Sequence, residues 1–557
     1  AGSRPRVSGF QLHFSSQDIH TPGDAPDVLV AMNPAALIIN IKDLKPGGIV
    51  DVNTASFGDR DLTKAKLETN PLEDGTLDGY RVIEVDVSQR VKEALAETAL
   101  KPKEVDRCKN FYTLGLMYWL FSRPLEPTKN WLTEKFAKRP EIAEANILAL
   151  QAGYNAGDIQ ELFQGRFEVP PCDSMPPGTY RNILGNQAIG LGLMAAAELA
   201  ELDLFLGAYP ITPASDILHQ LSGYKNFGVI TLQLEDEIAA MCSAIGASYA
   251  GKLGVTATSG PGVALKTEAM GLAVSLELPV VIVDVMRAGP STGMPTKVEQ
   301  TDLLQSAVGR NGEAPIPVFS CSTPADAFEV TIDACRVAIK HMTPVVLLSD
   351  NYIANGSEPW RLPKIEDLEP IPVHFRTDPE GFLPYGRDEN LARPWVKPGT
   401  PGLEHRVGGL EKADGTGNIS YDPDNHQLMT DLRNAKMAKI AAELPTPEIY
   451  GDDSGDLLVL GWGSSAGPIR SGVEIARKDG KRVSAIHLRH VWPLPPGLDA
   501  IFSRFGAVLI PEMNCGQLRR LLMSELPGHD FISYQKVQGK PFFTHEIINK
   551  INEVLEK

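Results

Sequence analysis

The chain has 557 residues, of which 43% are hydrophobic and 22% charged, a composition typical of a globular protein with roughly three domains. Its 53 basic and 70 acidic side chains give a net charge of −17 without long basic runs, which argues against nucleic acid or an anionic membrane surface as a partner. The six cysteines are scattered and none forms a C-x-x-C pair. This pattern argues against a disulfide framework or a cysteine-ligated metal cluster within the chain, so no metal site is predicted here. Scattered cysteines also favour a cytoplasmic location.

Residues 1–170 are predicted to form a first α/β domain, because strand-like and helix-like stretches are mixed there. The strand patterns are PDVLVAMN (26–33), ALIINI (36–41), GGIVDVNT (47–54) and YRVIEVDV (80–87). The helical patterns lie at residues 89–99, 110–121 and 141–158. No group of chemically reactive residues stands out in this part of the sequence.

A Pro/Gly-rich linker is predicted at residues 169–182, and a regular pattern follows it. Over residues 180–360 short strands recur, each ending in a Gly/Pro-rich turn and followed by a helix, which predicts a parallel, helix-covered sheet. Residues 361–445 are rich in Pro, Gly and charge and are predicted to be an extended linker and interface segment ending in a helix. A third α/β domain is predicted for residues 446–557.

Four loops of the middle domain follow strands and therefore belong to the carboxyl edge of the predicted sheet, where ligands bind in open parallel sheets. Because they leave the same edge, we expect them to converge and to offer a hydroxyl, a carboxylate, exposed backbone amides and a cation. The loops are YPITP (209–213), LEDE (234–237), TSGPG (258–262) and RAGPSTG (287–293).

Each loop also has an explanation that involves folding alone. YPITP resembles a turn before a helix that Ser215 caps. Gly260 and Gly262 fit a sharp strand-to-helix turn, and Arg287 fits either a surface arginine or a group that binds a carboxylate. Both explanations stay open for these loops from the pattern alone.

The three acids of LEDE are not equivalent. Any acid in a first helical turn is favoured by the helix dipole, and this is enough to explain Glu235 and Asp236. Glu237 precedes a helix rich in small residues, AAMCSAIGASYAG, and such a helix packs closely against its neighbours. We therefore expect Glu237 to be poorly solvated, which suits a carboxylate that exchanges a proton with a bound ligand.

The sequence resembles the α subunit of 2-oxoacid:ferredoxin oxidoreductases, most closely the 2-oxoglutarate type in which a γ domain is fused in front. The resemblance covers most of the chain. Its motifs are GNQAIGLGLMAAA, GAYPITPAS, QLEDEIAAMCSAIGASYAG, TATSGPGVALKTE, MRAGPSTGMPTKVEQTDL, PGTPGLEHRVGGLEKADGTGNIS and PEMNCGQLRRLL.

The resemblance implies a fold for each part of the chain. Residues 1–170 would be a γ-like α/β domain, thought to cover the site and to help with coenzyme A. Residues 180–360 would form a thiamine diphosphate pyrimidine-binding-type fold, and residues 446–557 a transketolase C-terminal-like fold. The family's γ domain opens with a glycine-rich strand–loop–helix, whereas this chain begins part-way through it, near RPRVSGFQLHF. We therefore expect either a missing N-terminal segment or a shortened γ domain.

The resemblance also implies roles for individual residues. Glu237 matches the family's glutamate, by its spacing to Gly246 and Gly251, and would be the catalytic residue that hydrogen-bonds the aminopyrimidine ring. Thr212 and Arg287 would contact the carboxylate or carbonyl group of the 2-oxoacid. Lys297 is a candidate for a second substrate carboxylate, with an exposed lysine as the alternative.

Further residues would bind the cofactor beside Glu237: Ile211, Gly260 and Gly262. The implied reaction is oxidative decarboxylation of 2-oxoglutarate with coenzyme A to succinyl-CoA and CO2, with electrons passing through an iron–sulfur cluster to ferredoxin, and it can in principle run in reverse. The same chemistry on pyruvate, branched-chain 2-oxoacids or indolepyruvate is an alternative. A non-catalytic assembly subunit is the alternative of another class.

Two expected features are missing from the sequence: a GDG diphosphate-binding motif and clustered cysteines. In the family both belong to the β subunit, which would carry Mg²⁺ and a 4Fe-4S cluster. The chain is therefore expected to be half of an enzyme, an αβ dimer or (αβ)2 assembly, with thiamine diphosphate at the interface between the subunits.

Overall fold

The computed structural model describes residues 9–159, 163 and 165–556. Its contacts divide the chain into two compact units, Ala1–Pro176 and Pro177–Lys557. The start of the RPRVSGFQLHF segment, residues 4–8, lies outside the described residues. The finer division at residues 170, 180, 360 and 445 stays a prediction.

The first unit is built on a three-stranded parallel sheet in the order β1-β2-β3, covered by helices. Its strands are β1 (Val28–Ala31), β2 (Ile49–Asn53) and β3 (Arg81–Val85). Its helices are α1 (Pro34–Asn40), α2 (Asp59–Ala65), α3 (Val87–Ala94), α4 (Pro102–Arg107), α5 (Lys109–Leu120), α6 (Glu126–Lys135) and α7 (Pro140–Ile159). Helices α5 and α7 approach so closely that a Cβ on Gly153 would lie 1.9 Å from the Tyr112 carbonyl oxygen.

The stretch ALIINI is helical, so its prediction as a strand was wrong. Asn33 caps α1 by accepting a hydrogen bond from the Ala36 backbone N–H at 2.9 Å, and Pro34 occupies the first helical turn, where its fixed φ is favourable. These start signals outweigh the strand preference of two consecutive isoleucines, which is a weaker, context-dependent effect.

The second unit contains the predicted parallel sheet of βα repeats. Its strands are β4 (Tyr180–Leu184), β5 (Leu204–Ala208), β6 (Val229–Gln233), β7 (Leu253–Thr258), β8 (Val280–Met286), β9 (Val318–Ser320), β10 (Val345–Asp350), β11 (Ser357–Arg361), β12 (Gly455–Trp462), β13 (Val483–Leu488), β14 (His490–Trp492), β15 (Phe505–Glu512) and β16 (Phe531–Gln535). Its helices are α8 (Gly185–Leu199), α9 (Ser215–Leu221), α10 (Glu237–Tyr249), α11 (Gly260–Leu276), α12 (Leu303–Val308), α13 (Asp326–His341), α14 (Asn351–Asn355), α15 (Pro423–Glu443), α16 (Ala466–Lys478), α17 (Leu498–Phe502), α18 (Gln517–Glu525) and α19 (Thr544–Leu555).

The central sheet has seven strands in the order β14-β9-β10-β8-β7-β5-β6. The βα repeats supply six parallel strands, whereas β14 comes from the C-terminal part of the chain and runs antiparallel beside β9. A separate parallel sheet has the order β13-β12-β15-β16. The predicted fold class, α/β built on parallel sheets, is therefore confirmed.

Two segments of the second unit differ from a simple loop. The end of the predicted linker is strand β4, which pairs antiparallel with β11. Residues 362–422 form an irregular segment that packs on the helices of the central sheet: the Trp395 indole N–H donates to the Ser248 carbonyl oxygen at 3.0 Å, and Arg393 donates to the Leu276 carbonyl oxygen at 3.0 Å.

Among the described residues, no helix is long and apolar enough to cross a membrane.

Candidate active site

The four candidate loops follow strands β8, β7, β5 and β6, which are consecutive neighbours in the central sheet. Because these strands are parallel, their loops leave the sheet at one edge. The expected convergence of the loops is therefore confirmed.

Glu237 is the first residue of α10 and is only 8% exposed. Asp236 is the N-cap and accepts a hydrogen bond from the Ala239 backbone N–H at 2.7 Å, whereas Glu235 is exposed. The small residues of α10 allow close packing, since a Cβ on Gly254 would lie 2.2 Å from the Ala244 carbonyl oxygen. The three acids are therefore not equivalent: Asp236 caps the helix, Glu235 is exposed, and Glu237, as expected, is poorly solvated.

Gly260 and Gly262 lie in the first turn of α11, and neither has a positive φ. Glycine is needed at both positions because neighbouring side chains already fill the space that a Cβ would occupy. A Cβ on Gly262 would lie 2.0 Å from Oγ1 of Thr258 and 2.8 Å from Cγ of Glu237, and a Cβ on Gly260 would lie 2.6 Å from a carboxylate oxygen of Asp302. Any larger residue would therefore displace a buried polar side chain, which the turn explanation alone does not require.

Arg287 and Thr212 are brought together by a hydrogen bond. Arg287 is 6% exposed, and its Nη1 donates to the Thr212 carbonyl oxygen at 2.6 Å. Nε of Arg287 meets no acceptor in the part of the chain that the structure describes. Burial lowers the pKa of Arg287, although the carboxyl group of Asp302 opposes that shift. The guanidinium is thus held by one hydrogen bond and keeps one buried donor without an acceptor among the described residues.

The loop after β5 borders an open cleft of about 350 Å³. Thr212 is exposed on it, while Ile211 is half-buried and its carbonyl oxygen accepts hydrogen bonds from the backbone N–H and hydroxyl of Ser215. Ser215 is inside α9, and Ala214 is its N-cap, so the predicted capping role of Ser215 was wrong. The cleft is lined by Thr212, Pro213, Ser215, Asp216, Thr296, Asn351 and Asn355.

Lys297 is exposed and does not line this cleft, although the preceding Thr296 does. The loop that carries Lys297 is held from the C-terminal layer. The fully buried Gln300 donates from Nε2 to the Trp462 carbonyl oxygen at 2.6 Å and accepts at Oε1 from the Met513 backbone N–H at 3.0 Å. Asn514 donates to the Gln300 carbonyl oxygen at 2.7 Å. The PEMNCGQ motif therefore braces the loop between β8 and α12.

Sequence reasoning missed a group of buried ionisable residues beneath the site. Lys266 on α11 and Asp284 on β8 are fully buried, and Asp302 before α12 is nearly so. Burial lowers the pKa of Lys266 to about 7 and raises the pKa of Asp302 to about 7. Asp284 and Lys266 are charged residues within apolar runs of the sequence, VVIVDVM and GVALKTEAM. The sequence alone does not show that they lie in the same region of the fold.

Two family models match the chain. The model described as "Pyruvate flavodoxin/ferredoxin oxidoreductase, thiamine diP-bdg" matches residues 196–421, which include all four loops of the site. The model described as "Pyruvate ferredoxin/flavodoxin oxidoreductase" matches residues 2–156. Together they cover most of both compact units.

The chain is similar along most of its length to known proteins. It is 51% identical to the 2-oxoglutarate oxidoreductase subunit KorA of Mycobacterium tuberculosis, over 98% of this chain and 84% of that protein. It is 31% identical to the α subunit of 2-oxoacid:ferredoxin oxidoreductase 1 of Aeropyrum pernix, over 85% of this chain and 75% of that subunit.

Among solved structures, the 2-oxoglutarate:ferredoxin oxidoreductase of Magnetococcus marinus, with 2-oxoglutarate, coenzyme A and succinyl-CoA bound, is similar with a TM-score of 0.85 and 32% identity. The likeness covers 96% of this chain and 89% of that chain. With its family models, its relatives and its site on one sheet edge, the chain belongs to the 2-oxoacid:ferredoxin oxidoreductase family.

Proposed function

We propose that this chain is the α subunit of a thiamine diphosphate-dependent 2-oxoglutarate:ferredoxin oxidoreductase. The reaction is oxidative decarboxylation of 2-oxoglutarate with coenzyme A to succinyl-CoA and CO2, with ferredoxin as electron acceptor, and it is reversible in principle. The 51% identity to a 2-oxoglutarate oxidoreductase subunit and the likeness to a structure containing 2-oxoglutarate and succinyl-CoA support this substrate. The cytoplasmic location predicted from the cysteines is part of the proposal.

The buried Glu237 carries this proposal. A carboxylate at the carboxyl edge of a parallel sheet, with a glycine clearing the space beside it, fits the ring nitrogen of an aminopyrimidine. The surroundings of Glu237 therefore fit thiamine diphosphate. When bound, that cofactor would supply the nucleophilic carbon and the electron sink that decarboxylation of a 2-oxoacid requires.

The residues of this chain prepare that chemistry. Glu237 exchanges a proton with the pyrimidine ring, and its low solvation keeps water from competing for that hydrogen bond. Gly260 and Gly262 leave room for the buried side chains of Asp302 and Glu237, and the half-buried Ile211 is proposed to contribute an apolar contact to the ring.

In this proposal the 2-oxoacid is held by the guanidinium of Arg287 and the hydroxyl of Thr212, which belong to the same edge of the sheet. Thr212 borders the cleft of about 350 Å³, and Arg287, which is hydrogen-bonded to the Thr212 carbonyl oxygen, is proposed to attract the carboxylate of the 2-oxoacid by its positive charge. Lys297 follows Thr296, which lines that cleft, and is proposed to approach the second carboxylate of 2-oxoglutarate.

A partner subunit is needed to complete the site. Large apolar side chains around it are 38% to 55% exposed, which is typical of a surface that another chain covers: Tyr209, Leu232, Ile238, Leu265 and Met294. No described group of three or more His, Cys, Asp or Glu side chains is placed to hold a metal. The proposed partner is a β subunit with the diphosphate motif, Mg²⁺ and a 4Fe-4S cluster, in an αβ dimer or (αβ)2 assembly with thiamine diphosphate between the subunits.

The substrate is tested by steady-state kinetics on the purified complex with coenzyme A and ferredoxin. We expect kcat/KM for 2-oxoglutarate to exceed that for pyruvate, a branched-chain 2-oxoacid and indolepyruvate by about 100-fold or more, because each of those acids lacks the second carboxylate. An equal or higher value for one of the other acids would reassign the substrate within the same reaction class. A complex that binds thiamine diphosphate but oxidises none of them would favour a non-catalytic assembly subunit.

A further inference from the structure

The cleft of about 350 Å³ beside Thr212 has two walls that come from different parts of the second unit. One wall belongs to the loop after β5 and to α9, and it includes Thr212 and Asp216. The other wall belongs to the loop between β8 and α12 and to α14, and it includes Thr296, Asn351 and Asn355. Because β5, β8 and β10 are parallel strands of the central sheet, the cleft lies at the same carboxyl edge as the candidate active site.

The first wall is fixed through its backbone. The Thr212 carbonyl oxygen accepts a hydrogen bond from Nη1 of Arg287 at 2.6 Å, and the Pro213 carbonyl oxygen accepts one from Nδ2 of the buried Asn186 at 2.8 Å. Both donors come from other elements of the central sheet layer. Thr212 and Asp216 are exposed on this wall, so their hydroxyl and carboxylate groups are accessible to a ligand.

The second wall is fixed by a chain of side-chain amides. Nδ2 of Asn355 donates to the carbonyl oxygen and to Oδ1 of Asn351, at 3.0 and 3.1 Å, and Nδ2 of Asn351 donates to the Thr296 carbonyl oxygen at 2.8 Å. These bonds hold α14 against the loop that carries Thr296. Since Nδ2 of Asn355 is engaged within the wall, Oδ1 of this exposed residue is the atom that can accept a hydrogen bond from a ligand.

The side chains of both walls favour an uncharged ligand. No lysine, arginine or histidine is present among the described residues that line the cleft, and Asp216 is acidic. A carboxylate or phosphate group in the cleft would therefore face a negative charge without a cation to balance it. Threonine hydroxyls and asparagine amides offer both donors and acceptors, which matches a neutral chain that itself carries amide groups.

The reactants of the proposed reaction differ in this respect. 2-Oxoglutarate carries a carboxylate at each end, and coenzyme A carries its phosphates at the nucleotide end. The pantetheine arm of coenzyme A is uncharged, contains two amide groups and ends in the thiol. That thiol must reach the carbon atom that loses CO2, and Thr212, which borders the cleft, is proposed to contact the same 2-oxoacid. The arm therefore matches the cleft both in chemistry and in position.

We propose that this cleft binds the pantetheine arm of coenzyme A, with the thiol end beside Thr212. Asp216 and Asn355 accept hydrogen bonds from the amide N–H groups of the arm, and the Thr296 hydroxyl donates to an amide carbonyl oxygen. Asn351 is a positioning residue, because it orients Asn355. The inference rests on the proposed function, in which coenzyme A is the acyl acceptor.

The test is steady-state kinetics of the purified complex, with coenzyme A and 2-oxoglutarate varied separately. We expect the KM for coenzyme A to rise about fivefold in Thr296→Val and about tenfold in Asn355→Leu, because each loses a hydrogen bond to the arm, while the KM for 2-oxoglutarate stays within about twofold. A rise only in the KM for 2-oxoglutarate, or no change in either constant, would overturn the assignment. Thr296→Val changes an exposed side chain and carries the test if Asn355→Leu does not fold.

Two competitive inhibitors separate the two ends of coenzyme A. Desulfo-coenzyme A keeps the arm, whereas adenosine 3′,5′-bisphosphate represents the nucleotide end alone. In Thr296→Val and Asn355→Leu the Ki of desulfo-coenzyme A should rise by about the same factor as the KM for coenzyme A, and the Ki of the bisphosphate should stay within about twofold. An equal rise in both Ki values would show that the cleft does not contact the arm.

Asp216→Asn tests the charge argument. If a carboxylate of 2-oxoglutarate entered the cleft, removal of this acid would lower the KM for 2-oxoglutarate. We expect that KM to stay within about twofold, and a larger fall would overturn the assignment. The matched control for Asn355→Leu is Asn549→Leu, which changes an exposed asparagine on α19 that does not line the cleft and should leave both KM values within about twofold.

Failure of this assignment is distinguishable from failure of the proposed function. If the wild-type complex oxidises 2-oxoglutarate with coenzyme A but the KM for coenzyme A does not respond to the variants, only the role of the cleft is wrong. If the wild-type complex oxidises none of the 2-oxoacids with coenzyme A, the proposed function is wrong and the role of the cleft falls with it.

Discussion

The two ends of helix α11 both bury charged groups but treat them differently. At the C-terminal end, Glu277 accepts hydrogen bonds from Arg387 and from Lys436, the latter at 2.8 Å. Burial alone would raise the pKa of Glu277, but these two cations outweigh it and lower the pKa to about 2. The carboxylate is therefore fully paired and stays charged.

At the N-terminal end, Asp284 has no donor for either oxygen within the described residues, and Lys266 has a pKa of about 7. Charges that are buried but incompletely paired change their proton occupancy near neutral pH, and such groups concentrate at functional sites. Burial of a charged group therefore does not by itself mark a functional site. Incomplete pairing of a buried charge close to the loops of the sheet edge is the more informative feature.

Breaking the paired end should have the largest effect on stability. Glu277→Gln leaves Arg387 and Lys436 buried without their carboxylate, and we expect it to lower the free energy of unfolding by about 3–5 kcal/mol. Denaturant unfolding measures this loss. As a control, Asp456→Asn breaks the exposed pair with Arg482 and should change stability by less than about 1 kcal/mol. A loss for Glu277→Gln no larger than that of the control would contradict the account.

A second buried carboxyl group without a donor, Asp51 of the first unit, sharpens the comparison. Asp51 on β2 has neither oxygen paired within the described residues, and burial raises its pKa to about 7. Between about pH 4 and pH 7 the unfolded chain loses this proton while the folded chain keeps it, so stability falls as pH rises, by on the order of 1 kcal/mol per pH unit.

Asp51→Asn should remove that fall in stability and leave turnover unchanged. Melting temperatures at pH 5 and pH 7 measure the slope for wild type and variant. The same slope in both proteins would show that Asp51 ionises normally. A loss of turnover with the fold intact would instead give Asp51 a functional role.

A smaller effect is expected from Asp302→Asn, which keeps the shape of the side chain but removes the negative charge that acts on Arg287. We expect kcat/KM to fall about tenfold, because the buried guanidinium loses the charge that favours its protonated form. Stability should not fall above pH 7, since a buried carboxylate with a raised pKa is a cost that grows between about pH 4 and pH 7. Parallel losses of activity and stability would show that Asp302 acts only in folding.

The order of strands and helices in the second unit could be predicted from the sequence because Gly/Pro turns separate its βα repeats, and the position of Glu237 followed from them. The place of strand β14 in the central sheet could not be predicted, because its pairing with β9 joins residues far apart in the chain. ALIINI was misassigned because its cap, Asn33, lies outside the apolar run. Lys266, Asp284 and Asp302 were visible as letters, but their meeting depends on the packing of α11 against β7 and β8.

The most direct measurement of the central claim compares two neighbouring acids, Glu237 and Glu235, in the intact complex. Both substitutions, Glu237→Gln and Glu235→Gln, remove one negative charge at the start of α10, but only Glu237 is buried beside Gly262. We predict that Glu237→Gln lowers kcat with 2-oxoglutarate about 1,000-fold while assembly survives, and that Glu235→Gln changes kcat by less than about twofold. Normal turnover by Glu237→Gln, or an equal loss in both variants, would contradict the account.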